Sequence, residues 1–268
     1  MDTSSFHTQG YQVLRGVLDP DAVCRVGDFL AQRAAHSVEQ LRTALGAADL
    51  PELCRRIDEH AQAAASVAPS GPLSAKERDL HMQMSGHYAL EDRLNPVLWE
   101  VARQDRLRSA LQGMLGCERL YMHMPPTARF VLPNNRHAGV PAHQDISYNR
   151  HMTRFVTVWT PFVRIDERCG GVAVFEGSGA EPAHEAPPQG AFWLAGVPTQ
   201  SFRRVHCLLE PGDALALNPW IIHASVPNTS DRVRISLDCR FFGEADASTK
   251  HHLDLQTWKV IEPQKAAG

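Results

Sequence analysis

The segment "PAHQDISYNRH" at residues 141–151 places an imidazole and a carboxylate two positions apart, at His143 and Asp145. On an extended strand the side chains at i and i+2 lie on one face, so this pair could share a metal ion. The chain contains 14 histidines, and a chance pairing is a serious alternative. The spacing therefore predicts part of a metal site, and another ligand must come from elsewhere in the fold.

A second group of polar side chains surrounds His223, in a strand–turn–strand pattern. The segment "WIIHASV" is followed by a polar turn and then by "RVRIS". Ser225 lies two residues after His223 and should face the same way, and a hairpin of this length returns Arg234 to about the depth of His223. An arginine suits a carboxylate because its planar guanidinium makes two parallel hydrogen bonds.

Two histidines and one aspartate leave open positions on an octahedral ion, as in the facial triad of non-haem Fe(II) oxygenases. We therefore predict that His143, Asp145 and His223 are the metal ligands and the catalytic centre. Ser225 and Arg234 are predicted to bind the far carboxylate of 2-oxoglutarate. The expected cofactors are Fe(II), 2-oxoglutarate and O₂, and the expected products are succinate, CO₂ and an oxidised substrate.

Three segments together resemble the phytanoyl-CoA dioxygenase-like family of Fe(II)/2-oxoglutarate-dependent oxygenases. They are "HQD", "VWTPFVRIDERCGGVAVFEGS" and "GDALALNPWIIHASVPNTSDRVR". The resemblance implies a double-stranded β-helix (jelly-roll, cupin-like) core and a small-molecule substrate that is hydroxylated, desaturated or cyclised. It also implies that Trp159 lies beside 2-oxoglutarate, and a looser match places His81 near a 2-oxoglutarate contact. Retention of Asp145 disfavours the related halogenases, which lack this carboxylate.

Three further residues are candidates for substrate contact. Tyr148 and Arg150 follow the predicted ligands closely, and Phe130 precedes them in "ARFVL". Core packing is at least as common a role for Tyr148 and Phe130, and a solvated loop is the commoner setting for Arg150. These alternatives stay open at the level of sequence.

The elements that must position these residues change character at about residue 117. Residues 1–117 have mostly helical periodicity, with Asp19 and Pro20 as a helix start. Residues 118–242 contain eight short β-rich segments separated by turns, which is typical of a jelly roll. Residues 243–268 are polar and are expected to form a loosely held tail. The prediction is a mainly β single domain, residues 1–268, with N-terminal helices as support.

Polar and apolar side chains alternate strictly between residues 232 and 241. The even positions are Arg232, Arg234, Ser236, Asp238 and Arg240. The odd positions are Val233, Ile235, Leu237, Cys239 and Phe241. One face of this strand is therefore polar. A solvated outer face is the commoner origin of such a pattern, and a polar site inside the jelly roll is the alternative.

Composition narrows the class of protein. A net charge of −3 argues against a dedicated nucleic-acid binder. No apolar run approaches the ~20 residues needed to span a bilayer, and the polar start lacks the pattern of a signal peptide. We expect a cytoplasmic monomer or homodimer with a small-molecule substrate and no nucleic-acid or membrane partner. The alternatives are a cupin-like metal-dependent isomerase, a demethylase of the same superfamily, or a non-catalytic binding protein.

Overall fold

The computed structural model describes residues 2–66, 74–184, 197–246 and 248–263. The helices are α1 (Ser4–Gln9), α2 (Pro20–Leu45), α3 (Leu50–Ser66), α4 (Ala75–Met84), α5 (Leu90–Arg93) and α6 (Asp105–Leu115). The strands are β1 (Tyr11–Leu14), β2 (Leu120–His123), β3 (Thr127–Val131), β4 (Phe155–Pro161), β5 (Gly171–Glu176), β6 (Arg203–Cys207), β7 (Ala214–Leu217), β8 (His223–Val226), β9 (Arg234–Gly243), β10 (His252–Asp254) and β11 (Lys259–Ile261). Short 3₁₀ turns occupy Pro96–Glu100, Arg136–Ala138, Asp145–Tyr148 and Ser178–Ala180.

The helices begin and end where local chemistry favours it. Asp19 precedes α2, whose first residue is Pro20, so the missing proline N–H costs no helical hydrogen bond. Helix α4 was not predicted, although Ser74 and Glu77 form a reciprocal capping box at its start. None of the described helices is long and apolar enough to cross a membrane.

The strands that the structure describes form two sheets that pack face to face. The large sheet has the order β1-β7-β4-β9-β2-β10-β11, with β3 also paired to β9, and the small sheet has the order β6-β5-β8. Side chains from both sheets, among them Trp159, Leu215 and Val172, share one buried cluster. Each of the eight predicted β-rich segments overlaps one strand from β2 to β9. The predicted double-stranded β-helix core is confirmed.

Strand β9 organises the large sheet and separates two environments. One of its edges pairs with β4 along seven residues, and the other pairs first with β3 and then with β2. Ile235, Leu237, Cys239 and Phe241 pack into the core shared with the helices. On the opposite face Arg234 is only 3% exposed. The polar face therefore lies inside the jelly roll, and the expectation of a solvated outer face is wrong.

The tail after residue 242 is not loosely held over the residues that the structure describes. Strand β10 pairs with β2, and β11 pairs with β10. Leu253 and Leu255 are buried in the main core, and Arg119 forms an ion pair with Asp254 at 2.6 Å. The prediction failed because two buried leucines in a short polar segment give no clear strand periodicity.

Candidate metal centre

The three predicted metal ligands meet between the sheets. One ligand atom from each of His143, Asp145 and His223 can be chosen so that all three lie within 4.8 Å of one another, and all three residues are buried. His143 and His223 exchange two backbone N–H···O=C bonds of 3.0 Å each, which align residues 80 positions apart. Asp145 does not continue a strand, because it begins the 3₁₀ turn Asp145–Tyr148. Gln144 is nevertheless extended (φ −113°, ψ 137°), so His143 and Asp145 still face the same way.

Both histidines are oriented by backbone carbonyls. Nδ1 of His143 lies 2.8 Å from the Pro141 carbonyl oxygen, and Nδ1 of His223 lies 3.1 Å from that of Ile221. A proton on each Nδ1 can donate to its carbonyl, which leaves the lone pair of Nε2 for a metal ion. Burial and the neighbouring His223 lower the pKa of His143 to about 3. The imidazole is therefore neutral near pH 7, as metal binding requires.

Two side chains outside the predicted site hold the carboxylate of Asp145. Arg240 donates to Oδ1 at 2.8 Å, and Thr157 donates to Oδ2 at 2.6 Å. Burial disfavours the charged carboxylate, but Arg240 and both histidines hold the pKa of Asp145 below its usual range. Each residue had a signal in the sequence: Arg240 lies on the polar face of β9, and Thr157 lies two residues before Trp159.

Replacing Arg240 with methionine is expected to weaken iron binding about 10- to 100-fold, because partners of a metal ligand fix its orientation. Iron affinity can be measured by anaerobic equilibrium titration. Arg240→Lys should retain part of the affinity, and Arg203→Met, at a side chain that is 75% exposed, serves as the matched control. Unchanged iron affinity in Arg240→Met would contradict the role of this ion pair.

Arg234 presents hydrogen-bond donors that the described protein leaves unused. Its Nη1 makes one long bond of 3.4 Å to the Gly171 carbonyl, and its Nε has no partner. No carboxylate among the described residues lies within ion-pairing distance of Arg234. Burial lowers the pKa of Arg234 to about 10, so the group remains a cation near pH 7. A buried, uncompensated guanidinium fits an anionic ligand such as a carboxylate.

The consecutive glycines in "CGGVAVF" make room for this guanidinium. Gly170 and Gly171 have φ of +83° and +99°, a region that L side chains rarely adopt. A Cβ at Gly170 would lie 2.6 Å from the Val226 carbonyl oxygen and 3.1 Å from Nη1 of Arg234. The two glycines therefore let β5 approach Arg234 closely.

Two of the other predicted cosubstrate residues lie on strands, and the third lies on a helix. Trp159 on β4 is buried between the sheets, and a Cβ at Gly171 would be 3.6 Å from its ring. Ser225 lies on β8, two residues after His223, opposite Val172. His81 lies on α4 and packs edge-to-face against His137, with ring centroids 4.7 Å apart. The roles of these residues stay predictions.

The three substrate candidates occupy different environments. Tyr148 packs edge-to-face against His143, with ring centroids 5.5 Å apart. Arg150 is exposed and donates to the His184 carbonyl at 2.6 Å. Phe130 packs against Tyr88 on the helical side of the sheet. Phe130 therefore has the alternative role, core packing. Its neighbours on β3 point to the opposite face of the sheet, towards the space between the two sheets.

Known proteins of similar sequence include oxygenases. A bovine (Bos taurus) protein described as "Phytanoyl-CoA dioxygenase, peroxisomal" is 31% identical over 129 residues, which cover 43% of this chain and 36% of the bovine protein. A Streptomyces exfoliatus protein described as "1-deoxypentalenic acid 11-beta-hydroxylase" is 33% identical over 112 residues, covering 37% of this chain and 40% of that protein. The matched stretches thus span less than half of these curated relatives.

One solved structure with a similar fold is that of the epimerase SnoN in complex with Fe3+, alpha ketoglutarate and nogalamycin RO. That structure aligns with a TM-score of 0.58 at 17% identity, covering 92% of this chain and 84% of SnoN. At this identity the likeness concerns the fold. The profile of the "Phytanoyl-CoA dioxygenase (PhyH)" family matches residues 6–236. The chain therefore belongs to the phytanoyl-CoA dioxygenase family, as the three resembling segments predicted.

Proposed function

We propose that this protein is an Fe(II)- and 2-oxoglutarate-dependent oxygenase that hydroxylates, desaturates or cyclises a small-molecule substrate. The observation that carries the proposal is a buried His–Asp–His set with ligand atoms within 4.8 Å, in the same interior as the uncompensated cation of Arg234. These residues fit both iron and 2-oxoglutarate. The His–Asp–His set supplies two imidazoles and one carboxylate for Fe(II), and Arg234 can pair with a carboxylate of 2-oxoglutarate.

Each residue has a distinct task in this proposal. His143, Asp145 and His223 hold the iron, while Arg240 and Thr157 keep the carboxylate of Asp145 ionised and oriented. Arg234, with Ser225, binds the far carboxylate of 2-oxoglutarate, and Trp159 excludes water beside it. With O₂ and 2-oxoglutarate, the bound iron supplies the oxidising power to remove hydrogen from a substrate C–H bond.

The direct test measures iron and 2-oxoglutarate together. Under anaerobic conditions, adding both to the protein should produce a visible charge-transfer absorption that neither produces alone. In air, the protein should release succinate, and a screen of small molecules should find compounds that accelerate this release. Zn(II) in place of Fe(II) is the matched control, since zinc has no redox chemistry.

The alternatives give different results in the same assays. A cupin-like isomerase would bind a metal ion without responding to 2-oxoglutarate, and it would not need Arg234. A non-catalytic jelly roll would give neither the absorption nor succinate. One relative is named a hydroxylase, and the protein with a similar fold is named an epimerase, so the kind of product stays a prediction. A cytoplasmic location, and a monomer or homodimer, stay predictions.

A further inference from the structure

A group of basic side chains lies at the opposite end of β9 from Arg234. Arg240 follows Arg234 by six residues on the same face of β9, which places their backbones about 20 Å apart at roughly 3.3 Å per residue. Arg240 contacts the metal ligand Asp145 directly. The polar face of β9 therefore carries two separate positively charged positions, and 2-oxoglutarate needs only the one at Arg234.

Lys250 brings a second cation to this end of the site. The residue is exposed, but its ammonium turns towards the protein and donates to Oδ1 of the buried Asn149 at 2.7 Å. Asn149 in turn donates to the backbone carbonyl of Asp145 at 3.0 Å. The ammonium is thus connected to the metal ligand through one neutral side chain. No carboxylate among the described residues lies within ion-pairing distance of Lys250.

Two histidines contact Ser248, whose Oγ accepts a hydrogen bond from the backbone N–H of Lys250 at 3.1 Å. Nε2 of His123 lies 2.7 Å from Oγ of Ser248, and the same hydroxyl lies 3.4 Å from Nε2 of His151. The two imidazoles are stacked, with ring centroids 5.9 Å apart. Burial and the nearby cations, first of which is Lys250, lower the pKa of His123 to about 3. Burial and Lys250 lower the pKa of His151 as well. A neutral imidazole carries one N–H, so each ring can donate one hydrogen bond, and the positive charge comes from the lysine and arginine.

The acidic groups in this region are already engaged. Asp145 and Asp238 both face Arg240, at 2.8 Å and 3.8 Å. Asp246 accepts hydrogen bonds from the backbone N–H groups of Thr153 and Arg154. Bound Fe(II) would add two more positive charges next to Asp145. Lys250 is therefore left without a countercharge in the described protein.

We propose that Lys250, with His123 and His151, forms a subsite for an anionic group of the substrate, and that this group is a carboxylate. The inference rests on the proposed function, because it assigns the substrate end of that same site. A planar carboxylate can accept from the ammonium with one oxygen and from an imidazole N–H with the other. Binding there would hold the rest of the substrate towards the metal centre, on the side away from Arg234.

The test uses thermal unfolding with matched pairs of probes, each a small carboxylic acid and its primary amide. The protein is loaded with Mn(II) and 2-oxoglutarate, so that Arg234 is already occupied. An acid at tenfold its Kd should raise Tm by about 3–6 °C, and its neutral amide should bind about 10- to 100-fold more weakly. Lys250→Met should remove this preference for the acid, whereas Lys250→Arg should keep it.

Lys259→Met is the matched control, because Lys259 is an exposed lysine on β11, outside this group. If acids stabilise the wild-type protein no more than amides do, or if Lys250→Met keeps the preference, the subsite does not exist. The same conclusion follows if no acid in the panel gives a shift that depends on Lys250. The anaerobic absorption of the wild-type protein tests the proposed function separately, because it does not depend on any probe.

Discussion

Replacing Asp145 with alanine is expected to abolish iron binding and, with it, succinate formation. The substitution removes one of three protein ligands and leaves Arg240 without the carboxylate that it contacts at 2.8 Å. Removing one partner of a buried ion pair typically costs about 3–5 kcal/mol of stability. The expected result is therefore a protein with a lower Tm, no anaerobic absorption and succinate release at the background rate.

A second variant separates the lost ligand from the lost stability. In Asp145→Ala/Arg240→Met the guanidinium that lost its hydrogen-bonded carboxylate is gone as well, so part of the stability should return while iron binding stays absent. Asp105→Ala, at a side chain that is 97% exposed, is the matched control and should behave like the wild type. Iron-dependent absorption in the folded double variant would contradict the assignment of Asp145 as a ligand.

Replacing Arg234 with methionine is expected to weaken 2-oxoglutarate binding strongly while making the protein more stable. Arg234 is 3% exposed, and the one hydrogen bond from its guanidinium to the described protein is 3.4 Å long. An apolar side chain of similar length removes the cost of burying this charge. Truncating one partner of a buried charge pair costs about 2–5 kcal/mol of binding, or roughly 30- to 4,000-fold in the Kd of 2-oxoglutarate.

Arg234→Met should raise the Tm and weaken 2-oxoglutarate binding, and these two quantities are measured separately. Calorimetric titration of 2-oxoglutarate gives the Kd, and thermal unfolding without 2-oxoglutarate gives the Tm. Arg164→Met, at an exposed ion pair with Glu210, is the matched control and should change neither quantity much. Arg234→Lys should recover only part of the affinity, because lysine lacks the planar fork. Wild-type affinity in Arg234→Met would place the 2-oxoglutarate carboxylate elsewhere.

The sequence was sufficient to predict the core strands and the three side chains that the structure brings together as candidate metal ligands. Eight segments with turns between them correspond to β2 through β9, because alternation and turn residues are local signals. The spacing of His143, Asp145 and His223, with Arg234 eleven residues after His223, was distinctive as a combination. Which way the polar face of β9 points could not be predicted from local sequence. The same alternation fits a solvent-exposed face and a face inside the jelly roll, and the position of the second sheet decides between them.

The missed features depend on contacts between distant segments. Strands β10 and β11 are three residues each and form because β2 offers an unpaired edge. The bond from Thr157 to Asp145 joins β4 to the 3₁₀ turn. The spacing from Trp159 indicates which way Thr157 faces, but it does not indicate its partner. Lys250 reaches Asn149 across 101 positions of the chain. Such pairings follow from the completed fold, so single-sequence periodicity does not predict them.

Strand β9 also limits how this protein can change. Arg234, Asp238 and Arg240 share one face, and both edges of the strand are paired. Inserting or deleting one residue in the middle of β9 would turn the side chains of one half towards the helical core. Arg234 and Arg240 could then no longer face the same interior. We therefore expect insertions in the connecting loops to be the way in which variants of this protein accommodate substrates of different size. The length of β9 should stay constant among functional variants.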